Sequence, residues 1–342
     1  VALRDGWRKS FFASGRTMAS IPRRSVLLSS AAAAAVAGLS GGARAQAYPV
    51  RPVHLLEGYG AGGAPDIIAR LTGKWLAERL GKPFVIENKP GASGRIATEA
   101  VAKAAPDGYT LLQIVNNNTV DAALKDKLPY DFIRDIAPVA GVYAQPLVME
   151  INPSLPATTV AEFIALAKTR PGKINMASAG VGTGTHLAGE MFQLAAGVSL
   201  FHVPYRGVQA LRDVVAGQAD VYFGVVASSL PQIKAGKLRA LAVTTATRSA
   251  VLPDVPAMGE ILPGYEFSAW YGLGAPKATP VDIVERLNRE VNAALADPQF
   301  GAQLLDLGGI PLPGSPADFA RLVATDTDKI TQLIKAANLV LE

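Results

Sequence analysis

Apolar and polar positions along residues 48–342 alternate between two rhythms. Short runs rich in β-branched and aliphatic residues at 53–56, 84–87, 110–115, 147–151, 175–177, 219–225 and 238–244 predict strands. Between them, apolar residues at helical spacing predict helices over 66–80, 96–104, 185–196, 210–216, 281–296 and 317–341; in the first, Ile68, Leu71 and Trp75 share one face. Thr159 followed three residues later by Glu162 reads as an N-cap with a capping box. It opens a helix that reaches Lys168 and stops at Arg170-Pro171-Gly172. Strands separated by helices predict βαβ units around mostly parallel sheets. One open sheet of so many strands would be unusually large, so the pattern predicts two α/β lobes rather than one. The break is expected near Glu150, with the chain crossing back at 264–270. Lobe 1 would then be discontinuous, 48–150 with 265–342, and lobe 2 would be 151–264.

Residues 1–47 break the rhythm. Arg23 and Arg24 precede an apolar run over 26–39 and the small-residue stretch Gly41-Gly42-Ala43-Arg44-Ala45-Gln46-Ala47. These are the three parts of an export signal, cleaved after Ala45 or Ala47. Arg23-Arg24 followed by Ser-Val-Leu-Leu resembles a twin-arginine signal, and an ordinary secretory signal fits the same residues. The apolar run is too short to span a bilayer, which takes ~20 residues. Met18 stands just upstream, leaving residues 1–17 as an extended n-region or a start placed too early.

This segment changes the meaning of the net charge, +5 for the 342-residue chain. Seven of the 33 basic residues (Arg4, Arg8, Lys9, Arg16, Arg23, Arg24, Arg44) precede residue 46, against one of the 28 acidic ones (Asp5). The remainder is close to neutral, with one excess negative charge. A basic footprint for nucleic acid is therefore absent, and no later apolar stretch is long enough to insert in a membrane. The exported body is expected to be free in the periplasm and monomeric. The chain has no cysteine, which excludes disulfides, thiolate metal sites, a cysteine nucleophile and a lipid-modified cysteine. Its three histidines, His54, His186 and His202, lack metal-ligand spacing, and His54 reads as a surface or edge residue of a strand.

Enzyme templates fail. Gly91-Ala92-Ser93-Gly94-Arg95 is not a nucleophile elbow, no Gly-Lys pair has phosphate-loop surroundings, and Gly180-Val181-Gly182-Thr183-Gly184-Thr185 breaks the dinucleotide fingerprint. What remains is one strand, Gly-rich loop, helix unit in each half. The first is Gly58-Tyr59-Gly60-Ala61-Gly62-Gly63-Ala64-Pro65-Asp66, the second Ser178-Ala179-Gly180-Val181-Gly182-Thr183-Gly184-Thr185-His186. Uncovered backbone N–H groups and the positive end of a helix dipole favour an anion at each. Taken singly, each loop is an ordinary βα turn. Two facing one cleft would hold a carboxylate ligand without any arginine.

Several further runs carry a resemblance: Gly-Gly-Ala-Pro-Asp-Ile-Ile-Ala-Arg, Glu87-Asn88-Lys89-Pro90-Gly91-Ala92-Ser93-Gly94, Pro106-Asp107-Gly108-Tyr109, Leu128-Pro129-Tyr130-Asp131, Gly184-Thr185-His186-Leu187, His202-Val203-Pro204-Tyr205-Arg206-Gly207 and Leu252-Pro253-Asp254-Val255-Pro256. Together they resemble the Bug family, extracytoplasmic solute-binding proteins of tripartite tricarboxylate transporters, in order over residues 48–342. The resemblance implies a type II periplasmic-binding-protein fold, with two α/β lobes joined by crossover strands around a ligand cleft. It implies a small carboxylate ligand (dicarboxylate, tricarboxylate, amino acid or aromatic acid), membrane permease subunits as partners, no cofactor, no metal and no catalysis. A sensor feeding a membrane receptor, or an enzyme on the same scaffold, are the rival readings. Carried onto this chain, the first clamp is Tyr59, Gly62, Gly63, Ala64 and Asp66, and the second Ser178, Gly182, Thr183 and His186. Asn116, Asn117, Tyr205, Arg206 and Gly207 are expected as further cleft walls. Asp66 reads equally as a helix-cap carboxylate and His186 as a core or first-turn residue.

Two departures from the family pattern bear on the ligand. Glu57 stands where an apolar residue is common. Facing the cleft, it would repel a purely anionic ligand and favour one bearing an amino, amide or hydroxyl group; pointing outward, it would do neither. Gly224 stands where an acidic residue often follows Phe223.

Overall fold

The computed structural model describes residues 48–123, 128–205 and 207–339; the expected export segment lies outside the described residues. A first block contains β1 (Val53–Glu57), α1 (Ala64–Leu80), β2 (Phe84–Asn88), α2 (Arg95–Ala102), β3 (Thr110–Val115) and α3 (Asn118–Ala123). After α4 (Phe132–Asp135), the long strand β4 (Ile136–Ile151) leads into a second block. That block holds α5 (Val160–Thr169), β5 (Asn175–Ser178), α6 (Gly184–Ala196), β6 (Phe201–Pro204), α7 (Gln209–Val215), β7 (Val221–Val225), α8 (Val226–Lys234), β8 (Arg239–Val243) and α9 (Met258–Ile261). β9 (Ser268–Pro276) returns the chain to the first block, which is completed by α10 (Val281–Ala296), α11 (Pro298–Asp306), β10 (Ile310–Pro311) and α12 (Pro316–Ala336).

The strands follow one hydrogen-bonded path, β2-β1-β3-β9-β4-β7-β5-β6, with β8 and β10 also paired to β4. β1, β2 and β3 are mutually parallel, as are β5, β6 and β7. The strands joining these blocks, β9, β4, β8 and β10, pair antiparallel. The sheet is therefore mixed rather than mostly parallel, because the two parallel blocks meet through connecting strands instead of through another βαβ crossover. β4 serves both: residues 136–146 pair with β9, and residues 147–151 with β7 and β8. At ~3.3 Å per residue a 16-residue strand is several times as long as β1 or β5. This is how two α/β lobes share one continuous path. The expected break near Glu150 falls inside β4.

Local chemistry explains the element ends. α1 begins at a Gly63 N-cap and stops at Gly81, whose left-handed conformation (φ 71°) turns its N–H back to the Ala77 carbonyl. Thr159 accepts the Glu162 N–H, but the Glu162 carboxylate reaches Thr158 N–H and hydroxyl rather than Thr159. Gly58 and Gly94 pack backbone to backbone; a Cβ on Gly58 would lie 2.5 Å from the Gly94 Cα. That approach seats the Pro90–Gly94 turn against the end of β1. Phe163, Phe192 and Phe223 pack in sequence at centroid separations of 5.9 and 5.6 Å and anchor the second block. His54 is not on an edge: β1 lies between β2 and β3, and the half-buried imidazole sits 2.5 Å from Glu87. Among the described residues, no helix is long and apolar enough to cross a membrane and no cluster of His, Asp and Glu could hold a metal ion.

Candidate functional site

The C-terminal ends of both parallel blocks point at one cavity of about 650 Å³. Open α/β sheets place ligands there, beyond the carboxyl ends of their strands. From the first block come the β1–α1 loop (Tyr59 to Gly63, with Pro65) and the end of β3 (Val115, Asn116, Asn117). The second contributes Ala179, Thr183, Gly184 and Thr185 of the β5–α6 connection, Gly207 and Val208 after β6, and Val225. Leu147 of β4 and Ala269 and Tyr271 of β9 complete the lining.

The two loops share a construction. Gly62 and Gly182 both have left-handed backbones (φ 84° and 74°), each one residue before the N-cap of the next helix. In each loop the glycine N–H is taken by the side chain four residues on, in the helix's first turn: Gly62 N–H donates to Asp66 Oδ2 at 2.9 Å, and Gly182 N–H to His186 Nδ1 at 3.1 Å. A further four residues on, an opposite partner stands behind. Arg70 Nε donates to Asp66 at 3.0 Å, and His186 Nε2 lies 3.4 Å from Glu190. Because His186 Nδ1 accepts, its proton sits on Nε2, toward Glu190. Neither N-cap residue, Gly63 or Thr183, bonds the helix start with its side chain. In the first turns, the N–H groups of Ala64 and Asp66 in α1 and of Thr185 in α6 have no partner among the described residues and remain available.

The end of β3 is linked to the start of α6 across the cavity. Asn117 Oδ1 accepts the N–H of Gly184, the first residue of α6, at 3.1 Å. A Cβ on Gly184 would be 3.4 Å from Asn116 and 3.5 Å from Phe267, so glycine there lets the β3 end come close.

Of the fourteen residues the sequence assigns to the ligand, Tyr59, Gly62, Gly63, Asn116, Asn117, Thr183 and Gly207 line the cavity. Ala64 is half-buried beside it at the start of α1. Asp66, Ser178, Gly182 and His186 are buried behind the wall, where they hold the loops. Burial works against the Asp66 charge, yet the bonds from Arg70, Gly62 N–H and Asn88 hold its carboxyl below the usual range. Ser178 Oγ lies 2.7 Å from His202 Nε2 and 3.2 Å from Gly180 N. His202 stacks on His186 with centroids 3.9 Å apart, and burial followed by that neighbour lowers its pKa to about 4. Tyr205 packs on the cluster around Ala177, Ala210 and Tyr222 instead of lining the cavity. Arg206 lies outside the described residues.

Glu57 follows neither expectation. It is fully buried, points into neither cleft nor solvent, and sits under the first loop, accepting from Tyr59 N–H at 2.8 Å and Asn88 Nδ2 at 2.7 Å. Burial pushes its pKa up to about 7. Asn88 also donates to Asp66 at 2.9 Å, so one amide ties both carboxylates beneath the loop. The sheet surface under the cavity, Val115, Leu147, Val225, Ala269 and Tyr271, lies outside the residues expected from sequence. These are ordinary strand residues on four strands, brought together only by the strand order.

The family model described as "Tripartite tricarboxylate transporter family receptor" matches residues 68–339. The chain belongs to this family. Tripartite tricarboxylate transporter receptors capture solutes, and relatives match along nearly their whole length. A Pseudomonas protein encoded in a tcbD-tcbE intergenic region is 38% identical, with 93% of this chain and 95% of that protein covered. Protein BugT of Bordetella pertussis is 33% identical over 90% of this chain and 96% of its own. Among solved structures, R. palustris Rpa4515 with adipate is 35% identical with a TM-score of 0.76, covering 85% of this chain and 98% of that one. MatC from Rhodopseudomonas palustris with bound malate is 33% identical with a TM-score of 0.75, covering 84% and 100%. The receptor fold of these proteins, two α/β lobes about a cleft, is the fold of this chain.

Proposed function

We propose that this receptor is exported to the periplasm, binds a small carboxylate in the cavity between the two helix starts, and presents it to the membrane permease subunits of a tripartite transporter. The observation that carries the reading is the pair of matched loops, Gly62–Asp66 and Gly182–His186, which aim two helix starts at one cavity. First-turn N–H groups and the helix dipole each favour an anion, by roughly 0.3–1 kcal/mol when exposed and up to ~2 when partly buried. The bound adipate and malate of two relatives support the ligand class.

The lobes, 48–150 with 265–342 and 151–264, close over the ligand, which supplies the shift by preferring the closed arrangement. The chain works as a monomer, without cofactor or metal, and turns nothing over. The Ser178–His202 pair supports binding without catalysis: Ser178 is fully buried behind the cavity wall, where no ligand carbonyl could reach it. Thermal-shift screening of the chain from residue 48 onward against a carboxylate panel tests the reading. Stabilisation by at least one small acid, with the acid recovered unchanged, is expected. Conversion to product, or no response to any acid, would overturn it.

A further inference from the structure

Resting on that reading, the cavity's interior says more about the ligand than the helix starts do. Val115 of β3 is paired with Tyr271 of β9, and Leu147 of β4 with Val225 of β7. Ala269 lies two residues from Tyr271 and so shares its face of the sheet. All five line the cavity, forming a strip of hydrocarbon across four adjacent strands.

Two polar side chains near this strip are engaged within the protein, whereas Gln113, on the Val115 face of β3, keeps its amide unpartnered among the described residues and the Asn116 and Asn117 carboxamides stand at the strip's edge of the cavity. Gln145, fully buried on the same face, spends its amide on the hydroxyls of Tyr143 and Tyr271, at 2.8 and 3.0 Å. Thr244, beside Leu147, bonds the backbone of Leu147 and Phe267. Among the described residues no charged side chain lines the cavity. The acidic groups an ammonium would seek, Glu57 and Asp66, are buried behind the first loop.

We infer that the ligand is a carboxylate with a hydrocarbon segment, free of hydroxyl and amino groups where it covers the strip of Val115, Leu147, Val225 and Ala269, while its acid group meets the helix starts. This reverses the sequence expectation of a hydroxyl- or amino-bearing ligand, which supposed Glu57 in the cleft. A hydroxyl on the carbons seated against these four side chains would lose water and gain no partner from them, weakening binding on the order of tenfold. A methylene there leaves water instead.

Matched pairs of probes isolate the body from the acid. Calorimetric titration of the chain from residue 48 onward compares hexanedioate with galactarate, the same six-carbon diacid with four hydroxyls, and hexanoate with gluconate. The hydrocarbon member of at least one pair is expected to bind at least tenfold tighter than its hydroxylated counterpart. Val225→Thr, which keeps the volume and places a hydroxyl at the strip, is expected to narrow that ratio threefold or more. Equal or tighter binding of the hydroxylated member in the pairs that bind, or an unchanged ratio in Val225→Thr, overturns the inference while leaving carboxylate capture intact. Failure of all four acids, and of every other acid in the thermal-shift panel, overturns carboxylate capture itself.

Discussion

Asn117 at the end of β3 and Gly184 at the start of α6, 67 residues apart in sequence, are joined by a 3.1 Å hydrogen bond from the Gly184 N–H to the Asn117 side-chain oxygen. A side chain of the first block thus meets the helix start of the second. A carboxamide oxygen there occupies the kind of position an anion's oxygen would take, with no net charge of its own.

The bond gives a direct test of how anionic the site must remain. Asn117→Asp keeps the acceptor for Gly184 but places a negative charge on the cavity wall, where a carboxylate ligand would be repelled in a medium less polar than water. Affinity for the preferred acid should fall about tenfold or more. The melting temperature without ligand should not fall, since the bond to Gly184 survives and gains charge assistance. Titration calorimetry and thermal unfolding read the two effects separately.

The matched loops predict different costs for their two anchoring side chains. Asp66→Ala leaves Gly62 N–H, Arg70 and Asn88 without their shared acceptor and should destabilise the fold by roughly 1–3 kcal/mol. His186→Phe retains a ring to stack on His202 but offers Gly182 no acceptor. Its larger effect should be on ligand affinity, through a loosened second loop. Chemical denaturation with and without ligand distinguishes them.

Much of this construction was legible in the sequence, and the boundary of legibility is physical. The glycine loops, the Thr159 start of α5 and the parallel strands other than β6 carry local signatures: left-handed turns, side-chain caps and β-branched runs. The first part of β4 did not read as a strand because Pro138, Gly141 and Pro146 interrupt it. α8 was hidden by Pro231 inside it. Glu57 looked like a cleft or surface residue because sequence shows its charge but not Asn88, which reaches it from the neighbouring strand. The hydrocarbon strip has no local signal at all; Leu147 and Val225 become neighbours only through the pairing of β4 with β7.

Gly224 has a neighbour that accounts for its lack of a side chain. A Cβ there would collide with Glu150 Oε1 and with Ser229 Oγ at 2.5 Å. The acid expected beside Phe223 is thus matched by an acid from the adjacent strand, in the same space. Gly224→Ala should cost about 1–3 kcal/mol by overpacking. Gly224→Asp should be worse alone and should recover stability when combined with Glu150→Ala, as a double-mutant cycle of denaturation midpoints would record.

Two buried carboxylates set a pH dependence. Burial raises Glu57 to about 7 and Glu150 to about 8, both above the usual 4.5. The folded chain holds these protons longer than the unfolded one, so their contribution is full below pH 4.5 and is lost as pH rises through 7 and 8. His202, lowered to about 4 from 6.5 by burial and by His186, acts oppositely between those values. Above pH 6.5 only the carboxylate effect remains. The melting temperature should fall by roughly a few degrees between pH 6.5 and 8.5. Glu150→Gln should flatten the upper part of that slope, as melting curves across this range would record.

Whether two helix starts hold one acid group is decided by a crystal structure of the complex with the tightest-binding acid from the panel. The predicted result is carboxylate oxygens within ~2.7–3.2 Å of first-turn N–H groups of α1 and α6, with the ligand body over Leu147 and Val225. An acid bound elsewhere on the protein, or one in the cavity with its carboxylate turned away from both helix starts, would contradict it.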